Sequence, residues 1–392
     1  MKLPIDTIQG YLKKHGLDGW LMVDFHSRND IAVQMLGLPT TLTRRFCYFI
    51  PSSGSPTALV HNIEKAKFSA LQGTIIPFSS YRLLESELQK LLVDCKKIAM
   101  EYAPHGRLPY IGLVDAGTIE LIRSFGCEIV TSADLVAFFQ ARLSVEQIAT
   151  HRIAAKNLIE IKSKTLKHIA DCLNTNKKQT EFDIMNYMLA QFEEYDMIND
   201  HGPNCSINQN AGNPHYEPTA ENAQIIKRGD LILLDIWAKL KIDNAVMADI
   251  TWMAFAGRKS EIPPKYNELF SVLAHARDAA IQFLRDNIDK RQVFGYEVDD
   301  ACRNVVIAAG YDKYFTHRTG HSITTSTHGT GPNIDNLETE DRRVLQQGHL
   351  FSVEPGIYMA DCGFRTEIDV LISNEGVEIT TLPLQTEIVT LF

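Results

Sequence analysis

Residues 231–255 read LILLDIWAKLKIDNAVMADITWMAF, and this stretch is the most informative part of the sequence about the fold. Two apolar runs, 231–237 and 246–255, predict two β-strands with a turn between them. Each strand carries an aspartate, Asp235 or Asp249, in an otherwise apolar setting. Burying a carboxylate in an apolar strand is costly unless a cation or hydrogen bonds compensate it. A shared metal site would supply that compensation, although a salt-bridged or hydrogen-bonded strand acid explains either residue taken alone.

A third acid interrupts a later apolar run, because residues 349–358 read HLFSVEPGIY and contain Glu354. Upstream, the segment HRTGHSITTSTH places His317, His321 and His328 close together beside a glycine. A lone histidine usually packs without a role. Three in one short segment, next to a residue whose missing side chain permits close backbone approach, more often line a site. The acids and histidines together therefore favour a metal centre.

Composition and motif content limit the function classes. The 392 residues suffice for two domains, and a hydrophobic share of 45% with a charged share of 22% is typical of a globular enzyme. A net charge of −9 and a pI near 5.8 argue against nucleic acid as a partner. The HExxH, GxSxG, GxGxxG and P-loop motifs are all absent from the sequence.

The sequence predicts a cytoplasmic protein. Seven scattered cysteines, with no CxxC pair, favour a reducing compartment over a disulfide framework. The opening residues, MKLPIDTIQGYLKKHG, lack the apolar core of a signal peptide, and no long uninterrupted apolar run follows. We therefore expect neither secretion nor a membrane association.

Two domains are expected, 1–144 and 145–392. The first alternates strands and helices, which is typical of an α/β sandwich. Its expected elements are strands at 20–24, 46–50, 57–60 and 97–101 and a helix at 82–94. The second opens with a long amphipathic helix, followed by a helix with a capping box at Thr180 and Asp183. Its remaining expected elements are helices at 264–286 and 298–309 and strands at 349–358 and 365–372.

The C-terminal half resembles the pita-bread metallopeptidases, a family that includes methionine aminopeptidase, prolidase and aminopeptidase P. In that family two Asp on a β-hairpin, one His after a Gly, a Glu in an EPG turn and a last Glu bind two metal ions. The matching residues, in family order, are Asp235 in LLDIWAK, Asp249 in ADIT, His321 in TGH, Glu354 in VEPGIY and Glu367 in FRTEIDV.

The N-terminal half resembles the creatinase/prolidase-type N-terminal domain, and ARLSVEQIATHRIAA resembles the stretch that joins it to the catalytic domain. Methionine aminopeptidases usually lack this domain, so the resemblance favours the prolidase and aminopeptidase P branch. The expected fold class is α+β, with an N-terminal α/β creatinase-like domain and a C-terminal pita-bread (creatinase/aminopeptidase-type) catalytic domain.

The resemblance implies two divalent metal ions, Mn first, with Co, Zn or Fe as alternatives. Asp249 and Glu367 would bridge the ions, Asp235 would chelate one, and His321 and Glu354 would complete the other. Hard carboxylate oxygens suit Mn²⁺-like ions. Two ions about 3.5–4 Å apart can activate a shared water and polarise the scissile carbonyl. Glu354 is also the expected proton shuttle.

The same resemblance assigns four further residues. His328 would stabilise the tetrahedral intermediate, His215 in NPHYEP and His317 would position the substrate, and Arg365 matches a family arginine near the site. Arg365 could instead form an ion pair that orients a ligand carboxylate, and His215 could be a surface loop residue. A short peptide is the expected substrate, and a homodimer is the expected assembly.

The leading hypothesis is hydrolysis of a peptide bond next to proline, by an Xaa-Pro aminopeptidase or an Xaa-Pro dipeptidase. The alternatives are a metal-dependent hydrolase or lyase of a small molecule on the same fold, and a non-catalytic binding module. The departures from the family pattern are a lengthened turn around Lys241–Asn244 and the residues Trp252, Met253, Thr324 and Gly329. These departures put a requirement for proline in question and keep the small-molecule alternative open.

Overall fold

The computed structural model describes residues 3–392. The chain divides into two compact units, Met1–Gln140 and Ala141–Phe392. The boundary expected from the sequence, at residue 145, lies just inside the second unit. The residues before it are tied to that unit through the backbone, because the amide of Leu143 donates a 2.9 Å hydrogen bond to a carbonyl of the second unit.

A mixed six-stranded sheet forms the centre of the first unit. Among the described residues its strands are β1 (Gly19–Asp24), β2 (Phe46–Pro51), β3 (Thr57–His61), β4 (Thr74–Phe78), β5 (Lys97–Met100) and β6 (Glu128–Thr131). Its helices are α1 (Ile5–Lys14), α2 (Asp30–Met35), α3 (Tyr81–Leu92), α4 (Ala116–Ser124) and α5 (Ala133–Val136). The strand order is β4-β3-β2-β1-β5-β6, with β2 antiparallel to both neighbours and the remaining pairs parallel.

Both faces of this sheet are covered, which explains the unbroken apolar run of β1. Trp20 and Met22 point into a core shared with α1 and α2, whereas Leu21 and Val23 point into a second core shared with α3 and α4. A strand that is buried on both faces has no solvent side and therefore no polar alternation.

The expected elements of the first unit are confirmed, but β4 and β6 were not predicted. Both are edge strands of the sheet. Most residues of each strand are at least partly exposed, and β4 contains Pro77. Proline lacks the N–H that an inner strand needs, so it is tolerated at an edge. Edge strands carry a weaker hydrophobic pattern, and the sequence signal was correspondingly faint.

The second unit combines four long helices with several small sheets in the part of the chain that the structure describes. Its helices are α6 (Val145–Asn174), α7 (Glu181–Glu194), α8 (Pro264–Asn287) and α9 (Gly295–Ala308). Its strands are β7 (Met197–Ile198), β8 (Asn204–Ile207), β9 (Leu231–Leu240), β10 (Ala248–Phe255), β11 (Leu350–Val353), β12 (Gly356–Tyr358), β13 (Gly363–Arg365), β14 (Ile368–Ser373), β15 (Gly376–Ile379) and β16 (Val389–Thr390). Within residues 3–392 no helix has the length and apolar character needed to span a bilayer.

Three of the four expected helix starts in this unit are confirmed. Helix α6 begins at Val145, the capping box of α7 is formed by Thr180 and Asp183, and α8 begins at Pro264. Helix α9 begins at Gly295, three residues before the expected start. Strand β9 is the central strand of the main sheet, since it pairs antiparallel with β7, β8 and β10. Strand β16 pairs in parallel with β10. Strands β11, β14 and β15 form a second sheet, and β12 and β13 form a hairpin.

The β9–β10 pair separates two hydrophobic cores. On one face Ile232 and Leu234 pack against α6 and α7, and on the other Leu231 and Leu233 pack with residues of α8 and α9. Successive side chains of a strand point to opposite faces, so Asp235 continues the face of Leu233. The polar residue Asp235 therefore lies at the end of this second core, next to Leu233 on the same face of β9.

Two predictions of continuous strands were wrong. Residues 349–358 form β11 and β12 with a break at Glu354 and Pro355, and residues 365–372 are divided between β13 and β14 by Glu367 and its preceding threonine. In each case the break coincides with a proposed ligand. The residue that carries such a carboxylate is not part of the strand hydrogen-bonding pattern. A hydrophobic pattern alone does not show this interruption and predicts an unbroken strand.

A buried glutamate organises the loop segment that follows β8. Glu181 is fully buried and accepts hydrogen bonds from the backbone amides of Ile207 (2.7 Å) and Gln224 (2.8 Å). The Asn210 amide and the Tyr216 hydroxyl also donate to it, at 2.9 and 2.6 Å. Both carboxylate oxygens are therefore fully used in folding this segment, which carries His215.

Replacing Glu181 by Gln will lower the free energy of unfolding by about 2–4 kcal/mol, because an amide nitrogen would face donors and leave at least one of them unpaired. The midpoint of urea unfolding measures this change. The Glu217→Gln variant is the control, since Glu217 is an exposed acid in the same segment. Equal midpoints for the two variants would show that the Glu181 contacts do not stabilise the fold.

Candidate metal centre

The β9–β10 hairpin brings the two expected aspartates to one face of the sheet. Thr251 lies opposite Asp235 and Trp237 lies opposite Asp249 in the strand register. The turn around Lys241–Asn244 is exposed and lies beyond the paired residues. Its extra length therefore leaves the placement of both carboxylates unchanged.

A glycine places the central histidine against β11. A Cβ on Gly320 would lie 1.9 Å from the carbonyl oxygen of Ser352, so only glycine allows this approach. The backbone amide of His321 then donates to the Ser352 hydroxyl at 3.0 Å, and the Ser352 amide donates to the His321 carbonyl at 2.9 Å. These bonds fix the His321 ring beside Glu354, with its Nε2 atom 3.4 Å from Oε1 of that residue.

The last expected ligand is fixed from the opposite side by the hairpin. The amide of Glu367 donates to the Thr251 carbonyl at 3.2 Å, and the Thr251 hydroxyl donates to Oε2 of Glu367 at 2.7 Å. The same hydroxyl lies 3.2 Å from Oδ1 of Asp235. Thr251 thus joins two carboxylates, a role that was not assigned from the sequence although the residue stands in the ADIT motif.

Three proposed ligands converge tightly. Ligand atoms of Asp249, His321 and Glu367 all lie within 4.8 Å of one another, and all three residues are buried. The Nε2 atom of His321 is 3.8 Å from Oδ2 of Asp249. Asp235 and Glu354 adjoin this group through the contacts described above, so the structure brings all five proposed ligands together.

The carboxylates of this group are held where negative charge is unfavourable. Burial, together with the charges of Glu367 and Asp235, raises the pKa of Asp249 well above its usual range. Burial and the charges of Glu354 and Asp235 do the same to the pKa of Glu367. Burial also raises the pKa of Asp235, against the opposing effect of Arg365. The site would stabilise a bound positive charge, because cations would relieve this repulsion.

The residues present fit two divalent cations. Oδ1 of Asp249 is buried and has no hydrogen-bond partner within residues 3–392, as expected of an oxygen reserved for another ligand. The Nδ1 atom of His321 faces the Ser322 carbonyl at 3.3 Å, so Nδ1 carries the proton and Nε2 is free to bind. Burial lowers the pKa of His321 to about 3, which keeps the ring neutral. Four carboxylates with one neutral imidazole are a donor set for hard cations.

Arg365 is a buried cation that orients carboxylates. Its guanidinium pairs with Asp235, and its Nε lies 3.0 Å from the Thr251 hydroxyl and 3.9 Å from Oε2 of Glu354. Although burial opposes its charge, the surrounding carboxylates, led by Asp235, raise the pKa of Arg365 well above its ordinary value. This geometry supports the alternative stated above, in which Arg365 orients a ligand through an ion pair.

His317 is connected to Arg365 through a tyrosine. Arg365 donates to the Tyr358 hydroxyl at 3.1 Å, and that hydroxyl lies 2.8 Å from Nε2 of His317. Nδ1 of His317 lies 2.6 Å from the Arg318 carbonyl, which can only accept. Nδ1 therefore holds the proton and Nε2 accepts from Tyr358. Burial lowers the pKa of His317 to about 4, consistent with a neutral ring. Tyr358 was missed in the sequence, although it closes the EPGIY motif.

His328 lies against the central histidine. Its ring is perpendicular to that of His321, with centroids 4.5 Å apart, and burial lowers the pKa of His328 to about 4. The loop between these two histidines is attached to β9, because Nζ of Lys239 donates to the carbonyl of Thr325 at 2.6 Å. Lys239 was not identified from the sequence.

His215 is exposed, and its backbone amide donates a hydrogen bond to Oδ1 of Asn213 at 3.1 Å. Within the described residues no hydrogen bond or ion pair joins its ring to the metal ligands. Contacts among the described residues thus join His317, His328 and Arg365 to the centre. The substrate-positioning role of His215 stays a prediction.

The departures at Trp252 and Met253 do not line the centre. Trp252 points into the core on the α6 side, where Nζ of Lys162 lies 3.6 Å from its ring centroid, and Met253 is fully buried in the other core. Their effect on a requirement for proline stays a prediction. Period-two alternation sends Trp252 to the opposite face from Asp249, and the core continues through Met253.

The carboxylate of Asp369 holds the backbone of Asp249 in place. The backbone amide of Asp249 donates to Oδ2 of Asp369 at 2.8 Å, and Nε2 of the buried His151 lies 3.9 Å from the same oxygen. Nδ1 of His151 lies 2.7 Å from the Met247 carbonyl. Neither supporting residue was identified from the sequence, since each is separated from Asp249 by a long stretch of chain.

Comparison with known proteins identifies the family. The family model described as "Metallopeptidase family M24" matches residues 151–374, more than half of the chain. An uncharacterized peptidase of Staphylococcus aureus is 23% identical over 330 residues, covering 81% of this chain and 82% of its own.

Two solved structures show the same fold. The dipeptidase PepE from Mycobacterium ulcerans superposes with a TM-score of 0.70 at 19% identity and covers 99% of this chain and 96% of its own. The X-prolyl aminopeptidase from Caenorhabditis elegans, described as a cytosolic enzyme with a di-nuclear active site, has a TM-score of 0.63 at 17% identity. That match covers 98% of this chain and 62% of the worm enzyme. The α+β pita-bread fold with an N-terminal α/β unit is thereby confirmed.

Proposed function

The chain belongs to metallopeptidase family M24, and from this premise we propose that it hydrolyses the peptide bond next to proline in short peptides, as an Xaa-Pro aminopeptidase or Xaa-Pro dipeptidase. The observation that carries the proposal is the convergence of Asp249, His321 and Glu367, with Asp235 and Glu354 adjoining them. This is a complete ligand set, in an order typical of the peptidases of the family. A non-catalytic module would have no need of it.

Two divalent cations bound by these five residues would lower the pKa of a water molecule and polarise the scissile carbonyl. Mn²⁺ is the proposed metal because four of the five ligands are carboxylates. The remaining residues of the site then bind the peptide, orient it and move protons.

Glu354 is the proposed proton acceptor. The Ser352 hydroxyl donates to its Oε1 at 3.0 Å, and Arg365 lies near its Oε2. These contacts fix the carboxylate at the edge of the cluster, facing His321. A carboxylate held in this way can take a proton from water and return it to the leaving amine.

His328 and His317 are proposed to act as neutral imidazoles. Burial lowers the pKa of each to about 4, so neither carries a charge near neutral pH. His328 can donate to the developing oxyanion of the tetrahedral intermediate. His317, fixed by Tyr358, would position the substrate.

The proposal is tested with Ala-Pro and Ala-Pro-Ala, with Ala-Ala as the control for proline. Chelator-treated protein is assayed for released proline and alanine with and without Mn²⁺. Manganese-dependent cleavage of the dipeptide identifies a dipeptidase, and cleavage of the tripeptide after alanine identifies an aminopeptidase. If neither peptide is cleaved by manganese-loaded protein, the proposed function is wrong.

Turnover also depends on the loop between His321 and His328. Replacing Lys239 by Met will lower kcat about tenfold, because a charge-assisted hydrogen bond of about 1.5 kcal/mol no longer fixes the loop that carries His328. Bound metal, measured by elemental analysis, should be unchanged. Lys241→Met is the matched control, since Lys241 is an exposed lysine on the same hairpin. A kcat equal to that of the control would mean that the Thr325 contact has no part in catalysis.

A further inference from the structure

Trp237 is an aromatic residue beside the metal ligands that the proposed mechanism does not use. It lies between Asp235 and Lys239 on the same face of β9 and opposite Asp249 in the register. Side chains directly opposite in an antiparallel pair have Cβ atoms about 4.5–5.5 Å apart. Trp237 therefore adjoins Asp249, one of the proposed metal ligands.

The Trp237 side chain is only partly buried. Its inner side packs against a small core containing Met247 and Ile323. Within residues 3–392 no other aromatic ring and no cationic side chain stacks on its indole. An indole placed in this way has a π-face that a ligand can use.

A carboxylate is fixed at the edge of this indole. Nε1 of Trp237 donates to Oδ1 of Asp200 at 3.0 Å, and the backbone amide of His201 donates to the same oxygen at 3.1 Å. Nδ1 of the exposed His201 ring lies 3.6 Å from the same oxygen, and 49% of the Asp200 side chain is exposed. The carboxylate is thus oriented through Oδ1, while about half of the side chain faces solvent.

Asp200 lies at the ring edge of Trp237, the residue opposite Asp249 in the strand register. The net pKa of Asp200 itself lies below its usual value, since the hydrogen bond from Trp237 leads the contributions that outweigh its partial burial. A negative group and an aromatic face therefore lie together next to the proposed metal ions.

We propose that Trp237 and Asp200 form a specificity site for a cationic nitrogen of the substrate residue that lies next to the scissile bond. The inference rests on the proposed peptidase function and adds a substrate class to it. A cation over an indole is attracted by the ring quadrupole, and an adjacent carboxylate adds Coulomb attraction. A fully extended residue spans about 3.3–3.6 Å, so a group one residue from the bond reaches this site.

The cationic nitrogen can come from the free α-amino group of the peptide or from a lysine or arginine side chain. Four probes separate these sources. Argininamide carries both cations, leucinamide carries the α-ammonium alone, Nα-acetyl-argininamide carries the side-chain cation alone, and Nα-acetyl-leucinamide carries neither.

Equilibrium binding of these four probes to the metal-free full-length protein is followed by tryptophan fluorescence. Trp20 and Trp252 are 0% and 7% exposed, so a response to a soluble probe reports mainly on Trp237. Binding of the cationic probes is expected to weaken about 5–10-fold in Asp200→Asn, while the neutral probe is unaffected. Glu193→Gln, an exposed acid at the end of α7, is the control and should bind as the native protein does.

The set of probes that lose affinity in Asp200→Asn shows which cationic nitrogen the site binds. Selective loss of Nα-acetyl-argininamide binding assigns the site to a basic side chain, and selective loss of leucinamide binding assigns it to the peptide amino terminus. Unchanged binding of every cationic probe in Asp200→Asn overturns the inference.

Kinetics then connect the site to turnover. For Arg-Pro-Ala, Asp200→Asn should raise KM about 5–10-fold relative to Leu-Pro-Ala if the side chain is recognised, and should raise both KM values if the amino terminus is recognised. If the native enzyme cleaves neither peptide, the proposed function fails, and the probe binding still decides the inference.

Discussion

Replacing Asp249 by Asn will reduce peptide hydrolysis by about a thousandfold or more and will lower the bound metal below two ions per chain. Asp249 lies at the centre of the cluster, 3.8 Å from His321, and its orphaned Oδ1 is available to a cation. An amide removes one negative charge and replaces one ligand oxygen by a group that cannot bind a cation. A thousandfold loss corresponds to about 4 kcal/mol of transition-state stabilisation.

The matched control is Asp243→Asn, an exposed residue in the turn of the same hairpin. It should retain native activity and metal content. Asp249→Asn should also remain folded without metal, since it removes one of several buried like charges. Native hydrolysis rates in Asp249→Asn would contradict the proposed role of this ligand.

Metal removal will destabilise the protein, and the loss will grow as the pH rises. The raised pKa values of Asp249 and Glu367 mean that the folded, metal-free state binds more protons than the unfolded state. The free energy of unfolding of the metal-free protein therefore falls as the pH increases from the ordinary range of carboxylates through their raised values. Metal binding needs deprotonated ligands and strengthens in the same direction.

Calorimetry of chelator-treated and Mn²⁺-loaded protein at pH 5.5 and 8 measures this effect. Free metal at about a hundred times Kd adds about 2.7 kcal/mol to the free energy of unfolding. The gap between the two melting temperatures should be larger at pH 8 than at pH 5.5. A gap that is absent, or that narrows as the pH rises, would contradict the assignment of these carboxylates as ligands.

Much of the site could be expected from the sequence because most of its ligands stand in recognisable local sequence patterns. Asp235 and Asp249 stand out in apolar strands, and Glu354 and His321 stand in short motifs next to glycine or proline. Once β9 and β10 pair in the observed register, alternation sends both aspartates to one face. The convergence of all five ligands depended on the family resemblance, since no local pattern brings Glu367 beside Thr251.

Other parts could not be expected because they depend on tertiary contacts. Asp369 and His151 support Asp249 from distant parts of the chain, and Asp200 meets Trp237 only after β9 and the loop that follows β7 have assembled. A hydrophobic pattern also cannot show a strand breaking at a carboxylate, as happens at Glu354. Nor does a family motif show on which face a substituted residue such as Trp252 will lie.

Anomalous diffraction from crystals grown with Mn²⁺ is the decisive test of the dinuclear centre. We predict two strong anomalous peaks about 3.5–4 Å apart, with Asp249 and Glu367 between them, Asp235 on one and His321 and Glu354 on the other. A single peak, or peaks that lie away from Asp249 and Glu367, would contradict a dinuclear centre and the hydrolytic chemistry proposed for it.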